Sequence, residues 1–290
     1  MSSVLQADRQ TALFADYNRS SFAFEHSLHQ SDIFESGQLI AMSARLPDAA
    51  YYSTADSSVG DGWKRLGDGR ASLAETLERL DETNSLVLLK RCERDPRYGA
   101  LFRELMAEVV ERCGGALRDD LDVGRATLVI SSPGRVTSYH IDAEVNFLFQ
   151  VRGRKLLHAF DPNDRTLLSE TELEGFYGGD CDAARYKVER QNEARVFPLE
   201  PGKGVHLPLH APHWTQNLDG ISVGVSLNFT LRSGVRLAKL YEANARLRRV
   251  GISPSAPGAS SWQDQLKLAA IAGVSCARPL LRRPFAKAFT

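Results

Sequence analysis

A histidine and an aspartate stand one residue apart, His140 and Asp142, in the stretch Thr137–Pro162, which reads TSYHIDAEVNFLFQVRGRKLLHAFDP. Side chains alternate across a β-strand, so a strand here directs the imidazole and the carboxylate to one face. A neutral imidazole and a carboxylate side by side form two corners of a metal site. A bare H-x-D triplet is weak on its own, and the residues after it carry more weight. From Glu144 to Gln150 the even positions are mostly polar, while Val145, Phe147, Phe149 and Val151 are apolar, the period of a half-buried strand. Arg152-Gly153 offers a tight turn into a second strand from Arg154 to Phe160. If those two residues close a hairpin, Gln150 pairs with Lys155. Lys155 then shares a face with Asn146, and with His140 and Asp142 if the strand runs unbroken. The alternative for Lys155 is a solvated surface lysine.

A third ligand must come from a distant strand. Glu200 to Gly204 (EPGKG) is a turn, Val205 to Pro208 a short strand, and Ala211-Pro212-His213-Trp214 follows. The next segment, Ile221 to Thr230, alternates throughout between an apolar face (Ile221, Val223, Val225, Leu227, Phe229) and a small polar one (Ser222, Gly224, Ser226, Asn228, Thr230). The second face leaves room for a ligand. His206, His210 and His213 also crowd together, which raises a zinc reading. Their spacing matches no closed zinc site, no cysteine lies nearby, and Pro208 and Pro212 bar a helix that would align them. His26, His29 and His158 read as ordinary polar residues.

This arrangement, an H-x-D pair, a lysine in the following strand, a P-G turn with a later histidine and a small-polar strand, resembles the JmjC/cupin-like Fe(II)- and 2-oxoglutarate-dependent oxygenases. The likeness is to the asparaginyl hydroxylase that inhibits hypoxia-inducible factor and to its bacterial cupin-like relatives, and it runs from about Arg125 to Thr230. The resemblance implies an iron(II) triad of His140, Asp142 and His213. It implies that Lys155 and Thr137 hold the distal carboxylate of 2-oxoglutarate, with Asn146 and Asn228 near the co-substrate. Thr137 is out of phase with His140, so a bulge or break must intervene. The implied activity is hydroxylation of a substrate by O2, with succinate and CO2 as co-products; hydroxylation of an N-methyl group would make it a demethylation. A protein side chain is the favoured substrate, with RNA and small metabolites open. A cupin metalloenzyme without 2-oxoglutarate and a non-catalytic metal-binding or regulatory protein are the alternatives.

The fold class expected is α+β, with a double-stranded β-helix (jelly-roll or cupin) core flanked by N- and C-terminal helices. Residues 1–125 are expected to form a mixed helical elaboration, 126–231 the barrel and 232–290 a basic helical segment. Apolar content of 43% and charged content of 25% are ordinary for a globular protein. No signal peptide or membrane span is apparent, and four scattered cysteines suit a reduced cytoplasm. Within the first part, Ser72 to Glu75 is a capping box, Leu86 to Leu89 a buried strand, and Asp95-Pro96 the start of a helix that ends at Gly114-Gly115. The stretch 56–70 is expected as a loop, reaching toward the barrel mouth. The stretch 161–195 is a long interruption that either shapes the substrate entrance or elaborates the surface. Helices are expected over 234–249 and 262–272. From Arg232 onward 11 Lys/Arg face two acids in a chain whose net charge is zero. That basic segment is expected to pack on the acidic body of its own chain or of a second copy, with nucleic acid less favoured. The resemblance implies a homodimer through the C-terminal helices.

Overall fold

The computed structural model describes residues 4–5, 14–46, 50–62 and 72–276. Among these residues, eleven strands build two antiparallel sheets. They are β1 (Phe22–Glu25), β2 (Ala50–Ser53), β3 (Leu86–Lys90), β4 (Leu121–Ser131), β5 (Val136–His140) and β6 (Val145–Arg152). Then follow β7 (Lys155–Ala159), β8 (Arg195–Leu199), β9 (Lys203–Leu207), β10 (His213–Asn217) and β11 (Ser222–Leu231). The seven-stranded sheet has the order β1-β9-β6-β11-β4-β3-β2, and the four-stranded sheet the order β5-β10-β7-β8. Two facing antiparallel sheets with flanking helices make this an α+β protein with a cupin-type jelly-roll core.

Period-two patterning accounts for how each strand is set. On β11, Val223, Val225, Leu227 and Phe229 join the main core on the outer face of the larger sheet, as do Ala126, Leu128 and Ile130 of β4 and Val145, Phe147 and Phe149 of β6. Helices Ser36–Arg45, Leu73–Glu78 and Gly99–Cys113 cover that face. Truncating a fully buried leucine such as Leu227 to alanine in such a core costs about 2–5 kcal/mol. The intervening residues, Ser226, Asn228, Thr127 and Asn146, turn inward to the space between the sheets. The outer face of the smaller sheet packs Tyr139, Phe160 and Trp214 against helix Glu170–Tyr177 and Tyr241 of helix Arg232–Arg249. Strands β1, β2 and β3 come from the first part of the chain and are members of the larger sheet.

The expected hairpin is absent: β6 and β7 belong to different sheets, and β7 pairs with β10 and β8 instead. Arg152, Gly153 and Arg154 carry the chain from one sheet to the other. Gly153 has φ of 69°, and a Cβ there would lie 2.3 Å from the carbonyl oxygen of Ile221, so only glycine fits this crossing. The strand across His140 to Val151 is also broken. β5 ends at His140, and residues 141–144 cross to the larger sheet, placing Asp142 beyond the strand rather than within it.

The bulge required by Thr137 is present. His213 pairs with His140 and Thr215 with Thr137, so three steps on β5 match two on β10. The amide of Tyr139, in the bulge, donates to the carbonyl of Val59 at 2.8 Å, so the described part of the 56–70 stretch runs along the free edge of β5; 63–70 lies outside the described residues. The Ser72 capping box forms as expected. The helix expected at Asp95-Pro96 begins at Gly99, because Asp95 Oδ1 accepts from the amides of Arg97 and Tyr98 at 2.8 Å and holds a turn before it. The 161–195 interruption contains helix Glu170–Tyr177, started by a second capping box at Ser169 and Glu172.

Candidate metal and co-substrate site

Between the sheets lies a cavity of about 140 Å³. Thr137, His140, Asp142, Asn146, Lys155, His213 and Asn228 all line it. His140 closes β5 and His213 opens the neighbouring β10, so their rings meet with centroids 4.1 Å apart. His140 Nε2 lies 4.0 Å from one oxygen of Asp142 and His213 Nε2 3.8 Å from the other. The three side chains have ligand atoms within 4.8 Å of one another, the spacing of donors around one ion.

The backbone fixes which ring nitrogens face inward. His140 Nδ1 donates to the carbonyl of Ser138 at 2.7 Å, and His213 Nδ1 to that of Ala211 at 2.9 Å. Each carbonyl takes the Nδ1 proton, so each Nε2 turns a lone pair toward Asp142. Burial pushes both imidazole pKa values down to about 4, in His213 with a further push from His140, so both rings stay neutral at physiological pH. Burial raises the Asp142 carboxyl, with His213 opposing. Two neutral nitrogens and a carboxylate make a donor set that a divalent cation fits.

Lys155 stands at the other end of the cavity. It pairs with Asn217 on β10, and four residues further along β7 Ala159 pairs with His213. The separation along the strand is roughly 13 Å at about 3.3 Å per residue. Lys155 is 2% exposed, and its ammonium makes no hydrogen bond or ion pair among the described residues. Burial alone pushes its pKa down to about 8. Leaving a charged group buried without a partner is costly, and a carboxylate in the cavity removes that cost. Between the two ends, Asn146 Nδ2 donates to Ser226 Oγ at 2.6 Å and to Asn228 Oδ1 at 2.7 Å, while Asn146 Oδ1 is buried without a partner.

The other histidines lie outside the cavity. His206 points to the outer core, where Nδ1 donates to the carbonyl of Asn146 and Nε2 accepts from the amide of Asn18. His210 has φ of 63° and its Nε2 shares a hydrogen bond with the Tyr177 hydroxyl at 2.5 Å, which pins the loop leading into His213. His26 accepts from the Leu28 amide, and His158 stacks on Trp214 outside the cavity. The cavity also gathers residues that sequence patterning did not single out: Lys90 and Arg91 at the end of β3, Arg125 on β4, and Glu144, whose carboxyl is pushed up to about 7 by burial and by Asp142. Alternation on β3 and β4 carries Lys90 and Arg125 inward, but cations at strand ends are indistinguishable from solvated ones in a sequence.

No family model matches the chain. Human HSPB1-associated protein 1 is 29% identical over 131 residues, which are 42% of this chain and 27% of that protein. The mouse protein is 30% identical over 134 residues, with the same shares. The match thus spans about a quarter of the length of these relatives. Among solved structures, Escherichia coli YcfD superposes with a TM-score of 0.54 at 16% identity over 96% of this chain and 70% of that one. A structure of YcfD described as a ribosomal oxygenase, in complex with cobalt and 2-oxoglutarate, also gives a TM-score of 0.54 at 16% identity, over 96% of this chain and 69% of that one. The chain resembles the JmjC/cupin-like oxygenases in sequence and in fold. Within that resemblance the residues carried over to this chain stand in one cavity, and the bulge at Thr137 lets it line that cavity together with His140.

Proposed function

We propose that this chain is an Fe(II)- and 2-oxoglutarate-dependent oxygenase that hydroxylates a substrate carried by another molecule. The observation that carries the reading is Lys155: an ammonium unpaired among the described residues, buried at the end of the cavity away from the His140–Asp142–His213 set, has no evident use in a plain metal site. A dicarboxylate chelated at the metal and reaching Lys155 gives it one. When bound, iron(II) and 2-oxoglutarate supply the oxidation itself, in which O2 converts the keto acid to succinate and CO2 and a C–H bond of the substrate to C–OH.

The residues of the chain supply position and dryness. His140 and His213 present Nε2 lone pairs because the Ser138 and Ala211 carbonyls occupy the Nδ1 protons. Asp142 supplies the negative charge that binds a divalent ion. Lys155, with the Thr137 hydroxyl, holds the distal carboxylate, and the Asn146–Ser226–Asn228 network supplies amide and hydroxyl groups along the co-substrate. Leu148, Leu157 and Leu207 give the cavity apolar wall, which limits the access of water to it. A protein side chain is the favoured substrate class, supported by a fold shared with an enzyme described as a ribosomal oxygenase.

The test is anaerobic addition of 2-oxoglutarate to iron(II)-loaded protein. The expected outcome is a weak visible charge-transfer absorption, followed in air by slow succinate formation without added substrate. Neither signal from metal-replete protein would overturn the reading in favour of a non-catalytic metal-binding protein. Formaldehyde release, assayed alongside once a substrate is found, separates demethylation from stable hydroxylation.

A further inference from the structure

We propose that the substrate presents an anionic group, a carboxylate or a phosphate, at the metal end of the cavity, and that Arg91 and Arg125 bind it. This deepens the oxygenase reading and rests on it. Asn146, Asn228 and Arg125 form one row across the inward face of the larger sheet, and Lys90 stands in the next row opposite Thr127. Arg91 follows Lys90 in a left-handed conformation, φ 61°, and all three cations line the cavity.

Other half-buried arginines among the described residues are paired: Arg45 with Asp95, Arg190 with Asp164 and Arg246 with Glu242. The guanidinium groups of Arg91 and Arg125 make no hydrogen bond or ion pair among the described residues, although both line the cavity. Glu144 is the one acid besides Asp142 that lines the cavity with them, and it is outnumbered by three cations; Glu93 nearby is engaged with the amide of Ala126 at 3.0 Å. The Lys90 ammonium is pushed down by burial, with Arg91 and Arg125 adding to that push and Glu144 opposing it.

The loaded centre does not need these charges. A divalent ion, the Asp142 carboxylate, a dianionic co-substrate and the Lys155 ammonium sum to zero, with both histidines neutral. What remains at the metal end is a net positive wall facing the space where substrate must lie. Guanidinium groups bind carboxylate and phosphate oxygens through paired N–H donors, and in a partly desolvated cavity such bonds are worth more than at the surface. A cationic substrate would meet two arginines and a lysine with one carboxylate to offer it, and like charges so placed exclude it.

The test uses the full chain loaded with manganese(II), whose paramagnetism broadens resonances of nearby molecules, and saturated with 2-oxoglutarate. Inorganic phosphate is followed by its phosphorus resonance, acetate by its methyl protons and tetramethylammonium as the cationic control. Saturable broadening of an anion but not of tetramethylammonium is expected, and the anion that saturates at lower concentration identifies the favoured source. The double variant Arg91→Gln/Arg125→Gln should need about tenfold more anion for the same effect, the loss of a charged hydrogen bond. Arg125→Lys, which keeps the charge, should recover part of it, and 2-oxoglutarate affinity should be retained throughout. Broadening undiminished in the double variant would place the anion on the metal alone and overturn the proposal, as would no broadening in the wild type. Loss of 2-oxoglutarate affinity in the arginine variants would assign those cations to the co-substrate and also overturn it. Failure of the wild type to bind 2-oxoglutarate would instead overturn the oxygenase reading beneath.

Discussion

A single lysine separates the oxygenase reading from that of a plain metal site. Lys155→Met keeps much of the stem's volume and removes the ammonium, which strands the distal carboxylate. Breaking a buried ion pair from one side costs roughly 3–5 kcal/mol. At about 1.4 kcal/mol per tenfold, 2-oxoglutarate affinity should fall by roughly two to three and a half orders of magnitude. Iron binding should persist, because Lys155 donates nothing to the metal; anaerobic titration of both ligands checks the split. The same residue predicts a pH dependence. Burial lowers the Lys155 pKa to about 8 in the empty site, so the ammonium is present below that pH and lost above it. The carboxylate binds the ammonium form and raises its pKa, so affinity is full below about pH 8 and declines as pH rises through it, with proton uptake on binding in that range. Calorimetry in two buffers of different ionisation heat measures the uptake; constant affinity from neutral to alkaline pH would remove Lys155 from the site. The place of Lys155 in the cavity was expected from the family resemblance, although the hairpin that suggested its orientation does not exist. Arg91 and Arg125 were not legible, because a cation gains meaning only from the neighbours that fail to pair with it.

Alternation identified the strands and their inward faces correctly for β6 and β11, since a period of two depends only on one side being apolar. It could not say which of two sheets a strand joins. That choice between sheets is made at Gly153, where the backbone turns with positive φ against Ile221. Gly153→Ala should therefore cost about 2 kcal/mol or more, through left-handed strain and the clash with that carbonyl. Denaturant unfolding of the variant measures it, and a change within about 0.5 kcal/mol would mean that the crossing relaxes freely. Because Lys155 begins the strand after this turn, the variant should also weaken 2-oxoglutarate binding more than iron binding. The bulge at Tyr139 belongs to the same scale. It was inferable from the phase mismatch between Thr137 and His140, whereas its use, handing an amide to Val59, depends on a segment with no readable pattern.

At the scale of the whole molecule, the basic C-terminal segment lies partly on its own chain. Arg248 pairs with Glu174, Arg249 donates to the carbonyl of Gly178, and Tyr241 stacks on Tyr177 with centroids 5.8 Å apart. No helix among the described residues is long and apolar enough to cross a membrane. Helix Ser261–Cys276 is different: Trp262 and Leu266, one turn apart, are 64% and 61% exposed. A homodimer formed across this face is the expected outcome, with light scattering at micromolar concentration giving the mass of two chains. Trp262→Ser with Leu266→Ser should then yield monomers, and a monomeric wild type would exclude the arrangement. The position of β11 has a consequence for biosynthesis. It is the last of the described strands to leave the ribosome, yet it lies in the middle of the larger sheet, hydrogen-bonded to β4 on one side and β6 on the other. At about 5–20 residues per second, the H-x-D pair emerges on the order of ten seconds before that strand and before His213. Until β11 emerges the larger sheet lacks its central strand, and until His213 emerges the His140–Asp142–His213 set is incomplete. Translation that halts short of residue 231 should therefore yield a product for proteolysis rather than a partly folded protein, and on the proposed reading metal would be loaded only after synthesis of this region.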